Sequence, residues 1–372
     1  RDCLLSRGLG DVYKRQQIKL INQTIGVTRY VYNLFITKNQ NRYKRNLSFM
    51  SGYDFSKWVN NRHSKEKEWI KDVPSKAVKQ AIMNADGSYR KFFKGLTGYP
   101  KYKKKSLNGS FYLIGTIKSE RHRIFLPKLK WIRLKEYDYI PNDNIKSATI
   151  SKKGNRYFVS VLVDEQIQNT HSFEKSEPIG IDLGLKETIY LSNGKKLMSL
   201  YRNRRLIKLN KSLKRQQRKL ARKQKGSNNR YKQLLKINRL YQRINNIKKD
   251  MKRKFINIIV KANPQYITIE NLNIKGMMKN KRLANALQQT GLGSVVEWLK
   301  LKSKQYNIEL RQVNRFYPSS QLCHCCNHRQ KMPLNKRIFK CEHCGNEIDR
   351  DLNASINPVS YTHLTLPTIL LV

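Results

Sequence analysis

The apolar positions change period along the chain. Ile18, Ile21, Ile25, Val31 and Leu34 recur at roughly i, i+3 and i+4, which predicts helix with a break near Gly26. Tyr53–Trp58, Trp69–Ile70 and Ala77–Phe93 extend the amphipathic pattern, and Ser75 is placed to cap the last segment. Gly98–Lys105, G-Y-P-K-Y-K-K-K, ends the helical region with glycine and proline. From residue 108 the period shortens. Phe111–Leu113, Arg123–Leu126, Trp131–Leu134 and Lys146–Ser151 read as short strands. Lys153-Gly154-Asn155 turns the last of these into Tyr157–Val163. Tyr157, Val159, Val161 and Val163 then share one face. Short strands at this spacing predict a small barrel. Residues 165–177 are polar and read as a linker.

After Pro178 the pattern becomes that of buried strands. I-G-I-D-L-G-L, Ile179–Leu185, is apolar except for Asp182 and its glycines. Thr188–Leu191 continues as a strand turned by Asn193-Gly194. Residues 201–262 predict two long helices parted at Gly226-Ser227-Asn228-Asn229. One stripe is Leu206, Leu209, Leu213 and Leu220; the other is Leu234, Ile237, Tyr241, Ile244, Met251, Phe255 and Ile258. Asn263-Pro264 stops the second helix, and Tyr266–Leu272 is a strand with Glu270 near its end. Leu352–Asn357 reads as the start of a helix.

Charge changes the picture. The 372 residues carry 77 Lys and Arg against 25 Asp and Glu, a net charge of +52. So basic a chain needs an anionic partner, with nucleic acid the first candidate and a membrane surface the second. There is no spanning apolar run and no secretory leader, which predicts a cytoplasmic protein without membrane segments. Between Arg202 and Lys254 the cations are broken by one acid, Asp250. A coiled coil would need acids for pairing, so an outer face with Lys214, Arg215, Arg218 and Arg222 is expected to grip nucleic acid. Tyr99, Lys101 and Lys103 form a second candidate contact, by stacking and phosphate binding.

Candidate metal chemistry lies in two sets of residues. Cys323/Cys326 and Cys341/Cys344 each have C-x-x-C spacing, which suits a closed, structural Zn2+ site. Cys325 breaks the spacing and is a spare. Asp182 and Glu270 sit in apolar strands, and Asp349-Arg350-Asp351 follows the cysteines. Carboxylates at the ends of buried elements are costly unless paired. Asp182, Glu270 and Asp351 are therefore expected to hold two Mg2+ ions for phosphodiester hydrolysis.

These segments resemble a known family. G-I-D-L-G, I-T-I-E-N-L, F-Y-P-S-S-Q-x-C-x-x-C and C-x-x-C-G-x-x-x-D-R-D-x-N-A look like the TnpB (OrfB) proteins of insertion sequences, relatives of type V CRISPR effectors. G-Y-P-K-Y-K and the stretch around Ile145–Val163 are similar to that family too. The resemblance covers residues 17–357. It implies an α/β multidomain protein whose RuvC-like, RNase H-fold core is a magnesium-dependent DNA endonuclease. Asp182, Glu270 and Asp351 are implied as its catalytic acids, with Asp349 the alternative third acid or a support to it. The implied partners are a guide RNA and target DNA, with no small-molecule substrate. The other class is a catalytically silent, transposon-encoded regulator that binds nucleic acid, and strand transfer by the same acids is a third.

The expected organisation is a helical recognition segment at 17–105 and wedge β-barrel strands at 106–176. A nuclease core at 177–322 contains the basic hairpin 201–262. A zinc ribbon at 323–344 precedes the core's last motif at 345–357. Residues 1–16 and 358–372 resemble translated adapter sequence and are expected to lie outside the fold. The barrel is then expected to lack its first strand, and Pro358 to stop the last helix.

Overall fold

The computed structural model describes residues 2–4, 12–142, 144–164, 175–185, 187–198, 200, 202–333 and 336–364. Side chains of residues 2–4, 12–14, 187, 198 and 361–364 lie outside this description. The chain divides into two compact units, 1–166 and 167–372. Most of the expected linker, 165–174, lies outside the described residues.

The first unit opens with strand β1 (Asp2–Leu4) and helix α1 (Val12–Lys44). Helix α2 (Gly52–Trp58), a π turn at Val59–His63, α3 (Ser64–Glu66) and a 3-10 turn at Glu68–Ile70 lead to α4 (Ser75–Phe93). Phe35, Phe55, Val31, Ile82 and Tyr89 form the helical core. Helix α1 runs through Gly26 without the expected break. An interior glycine costs about 1 kcal/mol. Burying Val27, Val31 and Phe35 on the same helix outweighs that. Ser75 is not the expected cap either: Pro74 holds that position and no side-chain bond closes the end.

The strands of this unit form two antiparallel sheets. In the first, β1, β7 (Arg156–Val163), β6 (Ile145–Lys153) and β2 (Asn108–Ile114) lie in that order. The second contains β3 (Lys118–Glu120), β4 (Arg123–Leu126) and β5 (Lys130–Arg133). Leu113, Ile124, Leu126, Ile150 and Val159 pack together in one core. The described strands thus form two ladders, not the single closed ladder of a barrel. Val159 and Val161 are buried and Tyr157 and Val163 pack against the same core, as the alternation predicts. Two expectations about the first residues are corrected. Asp2, Cys3 and Leu4 pair with Ser160, Val159 and Phe158, so the edge of β7 is covered. Residues from Val12 onward belong to α1.

The second unit is built on a five-stranded sheet ordered β10-β9-β8-β11-β12. Its strands are β8 (Ile179–Asp182), β9 (Glu187–Leu191), β10 (Lys196–Met198), β11 (Tyr266–Glu270) and β12 (Glu309–Val313). Strand β11 lies parallel to both β8 and β12, and β9 runs antiparallel to β8 and β10. Helices α5 (Arg204–Ala221) and α6 (Asn228–Lys261) leave the sheet as a hairpin. Asn203 and Ser227 cap them by accepting the amides of Leu206 and Arg230. Leu206, Leu213, Ile237 and Ile244 close the hairpin. Farther along α6 the buried positions become Phe255, Ile256, Ile259 and Val260, which face the sheet. Ile258, expected on the stripe, is exposed because the helix changes partner there.

Helices α7 (Ile274–Met277), α8 (Lys281–Thr290) and α9 (Leu292–Gln305) connect β11 to β12. Strands β13 (Ile338–Lys340) and β14 (Glu347–Asp349) pair antiparallel around the cysteine knuckle. Helix α10 (Arg350–Leu364) follows directly. It passes through Pro358, contrary to the expected stop. An interior proline costs about 3 kcal/mol or more. Pro358 and Asn357 are buried, and packing of α10 on the sheet offsets that cost.

Candidate metal centre and basic surface

Asp182 ends β8 and Glu270 ends β11, on adjacent parallel strands. Asp351 lies in the first turn of α10. Spread over 169 residues of chain (351 − 182), Glu270 and Asp351 lie near enough for their charges to act on Asp182. Burial pushes the Asp182 carboxyl up to about 8, and the charges of Glu270 and Asp351 add to the rise. Arg350 and a hydrogen bond from the Leu183 amide pull the other way. Burial raises Glu270 as well, opposed by a hydroxyl hydrogen bond from Ser319. Asp351 is held at 3.0 Å by Arg350 and at 3.3 Å by Arg337.

Asp349 caps the helix that follows it. Its Oδ1 accepts the amides of Asp351 at 2.9 Å and Leu352 at 3.1 Å. It is the N-cap of α10, and so fixes the turn on which Asp351 stands.

The four cysteines converge. The Sγ atoms of Cys323, Cys326, Cys341 and Cys344 all lie within 4.8 Å of one another. Cys323 and Cys344 are 3.6 Å apart, and Cys326 and Cys341 are 3.5 Å apart. A tetrahedron with Zn–S bonds of about 2.3 Å has edges of about 3.8 Å, so the set fits zinc. Desolvation acts against the Cys323 thiolate, but the amides of Cys326 and Cys325 bring its pKa down to about 6. Phe339, Met332 and Ile348 pack around the cluster. Cys325 stands apart from it, exposed and 3.3 Å from His324 Nε2.

Sequence reading missed the groups that connect these two clusters. Asn353 and Asn357, one helical turn apart on α10, donate to the carbonyl of Leu322 at 2.6 and 2.8 Å. Asn357 also donates to the Ser319 carbonyl at 2.6 Å. Their i, i+4 spacing just after the acidic pair was the signal that could have found them.

The basic candidates separate into two kinds. Lys214, Arg215 and Arg218 are exposed on α5, and Arg222 is exposed at the C-cap that ends it. Lys214 also lines a groove of about 710 Å³ with Lys211, Lys248, Asn245, Gln288 and Tyr241. In the first unit, Tyr99 and Lys103 have partners within the fold. Tyr99 Oη meets Tyr89 Oη at 2.8 Å. Lys103 exchanges backbone hydrogen bonds with the Asn33 side chain and stacks its ammonium 3.9 Å over Tyr32. Lys101 is exposed. No helix among the described residues is long and apolar enough to cross a membrane.

Comparison with known proteins places the chain in a family. A family model described as "Probable transposase" (OrfB_IS605) matches residues 158–281. One described as "Cas12f1-like, TNB domain" matches 293–358, and the helix-turn-helix domain model of OrfB_IS605 matches 14–48. A Streptomyces pristinaespiralis protein named "Putative RNA-guided DNA endonuclease" is 30% identical over 357 residues, covering 92% of this chain and 85% of its own length. "Putative RNA-guided DNA endonuclease InsQ" of Escherichia coli (strain K12) is 28% identical over 362 residues, covering 92% and 88%. The protein of a solved Cas12f1-sgRNA-target DNA complex is 15% identical with a TM-score of 0.54, over 93% of this chain and 82% of that one, a likeness of fold. The chain belongs to the OrfB (TnpB) transposase family of IS605-type elements, whose curated members carry the name RNA-guided DNA endonuclease.

Proposed function

We propose that this protein is an RNA-guided DNA endonuclease that hydrolyses phosphodiester bonds at Asp182, Glu270 and Asp351. The observation that carries this reading is the placement of Asp182 and Glu270 at the ends of adjacent buried strands, with Asp182 raised to about 8 by burial and by the charges of Glu270 and Asp351. The two arginines pair with Asp351, and burial still raises both Asp182 and Glu270. The hard oxygen donors of the three acids fit divalent magnesium. Bound there, the ions would polarise the scissile phosphate and make water a stronger nucleophile. The chain's own groups prepare the site. Arg350 and Arg337 hold Asp351, Asp349 caps its helix, and Ser319 donates a hydrogen bond to Glu270. The strand order, with one antiparallel strand beside parallel neighbours, supports a RuvC-like, RNase H-type core. The knuckle's cysteines would hold structural Zn2+.

A guide RNA would supply sequence specificity by pairing with target DNA, and the basic faces would grip backbones. Residues 17–105 and 106–176 are assigned to recognition and wedge functions, 177–322 and 345–357 to the nuclease core, and 323–344 to the zinc ribbon. The test is cleavage of DNA matched to the RNA that copurifies with the protein. Asp182→Ala and Glu270→Ala are expected to abolish cutting and leave RNA binding intact. Cutting at the wild-type rate by either variant overturns the assignment.

A further inference from the structure

Ser319 lies in the segment between β12 and the knuckle, and it is 5% exposed. Its hydroxyl donates a hydrogen bond to Glu270 Oε1. A glutamate side chain can take several rotamers, and a fixed donor selects among them. The serine is itself fixed from α10. Asn357 Nδ2 donates to the Ser319 carbonyl at 2.6 Å and to that of Leu322 at 2.8 Å. Asn353 Nδ2 also donates to Leu322, while its Oδ1 accepts the His324 amide at 3.1 Å. Tyr317 Oη closes the set by donating to the Asn357 carbonyl at 3.1 Å. Asn353 is fully buried and Asn357 is 2% exposed. Buried amides are costly unless satisfied, and here each one is spent on the backbone of residues 319–324. The helix that presents Asp351 at its first turn therefore also reaches the strand-end acid Glu270.

We propose that Ser319 is a positioning residue for Glu270, locked by Asn357 and Asn353, so that α10 and the first turn of the cysteine knuckle together orient the carboxylate on β11. This rests on the reading of the acid cluster as a divalent-metal site. A serine that merely ties down its loop would affect folding and zinc retention. One that orients Glu270 affects the acid cluster first.

The experiment uses the purified full chain, with Mn2+ as the probe. Binding is followed by electron paramagnetic resonance, beside zinc content and thermal unfolding. Ser319→Ala is expected to weaken Mn2+ binding by about 10–100-fold, as removal of a group supporting a metal ligand does, with zinc and melting temperature unchanged. Glu270→Gln serves as the control and is expected to lose the site. Wild-type Mn2+ binding by Glu270→Gln overturns the metal-site reading itself. Loss in Glu270→Gln with wild-type binding in Ser319→Ala overturns only the positioning role. Should Ser319→Ala lose zinc, Ser319→Gly takes its place. Zinc loss from both variants makes the serine structural and overturns the proposal.

Discussion

Gly180 lies so close under Ser355 that a Cβ built on the glycine would sit 1.8 Å from the Ser355 carbonyl oxygen. That contact presses α10 onto β8, and these two elements carry Asp351 and Asp182. The obstacle is backbone, so no rotamer change relieves it. Gly180→Ala is expected to destabilise the second unit by about 1–3 kcal/mol or more and to reduce cleavage further than stability alone explains. Denaturant midpoints and cleavage rates measured together check both parts. An alanine variant with unchanged values would mean that α10 is not seated here.

The cysteine cluster predicts about one zinc per chain. Cys341→Ser is expected to lose the metal and to expose residues 323–349 to protease, because ligand geometry and the Phe339 core form together. Cys325→Ser, outside the cluster, is expected to keep zinc. Metal analysis of freshly reduced protein is the measurement. Absence of zinc there removes the claim.

Asp349 and Asp351 are separable. Asp349→Ala removes an N-cap and is expected to cost about 1 kcal/mol of stability, leaving measurable cleavage. Asp351→Ala also leaves Arg350 without its carboxylate and is expected to abolish cleavage. Equal loss of activity in the two variants would remove this distinction.

Neutralising Lys214, Arg215, Arg218 and Arg222 together tests the exposed face of α5. The slope of log K against log salt is expected to fall by about 0.7–0.9 for every phosphate that these side chains neutralise in the wild type. An unchanged slope would assign this face to solvent.

Lys252 supplies a pH test away from the acids. Its Nζ is enclosed by the Gly291 carbonyl at 3.0 Å and the Ser294 hydroxyl at 2.8 Å. Burial, aided by Lys248, lowers its pKa from 10.5 to about 8. Between those values the unfolded chain keeps a proton that the folded chain has released, so stability rises with pH in that window. Below about 8 the lysine is charged in both states and the burial penalty is fully present. Wild type is expected to gain stability over Lys252→Met as pH rises from 8 to 10. Urea melts of both proteins check this, and parallel curves would contradict it.

Much of the architecture was legible because period and turn chemistry are local. Arg123–Leu126 forms a strand with the bounds its pattern predicts. The hairpin splits near the predicted Gly-Ser-Asn-Asn turn, with Ser227 as its cap. What escaped depends on partners distant in sequence. Strand β12, Glu-Leu-Arg-Gln-Val, pairs on one side only and carries polar residues that hide its period. Helices α8 and α9 meet at Gly291, whose φ of 62° breaks a pattern too short to establish a period. Asp2–Leu4 joins its sheet through ladder bonds, and Cys3-Leu4-Leu5 is too short a run to show a period. In the candidate site, cysteine spacing announced the four Sγ atoms that converge, and the strand pattern put Asp182 and Glu270 at strand ends. The Ser319–Glu270 hydrogen bond spans 49 positions and leaves no periodic trace.

The 34 residues of α6 form one helix, about 50 Å long at 1.5 Å per residue. Its first half is gripped by α5 and its second by the sheet. A continuous helix resists bending, so it behaves as a beam clamped at both ends. Torque applied to the hairpin cannot dissipate in a flexible joint. It is delivered at Lys261, five residues before Tyr266 begins the strand that ends in Glu270.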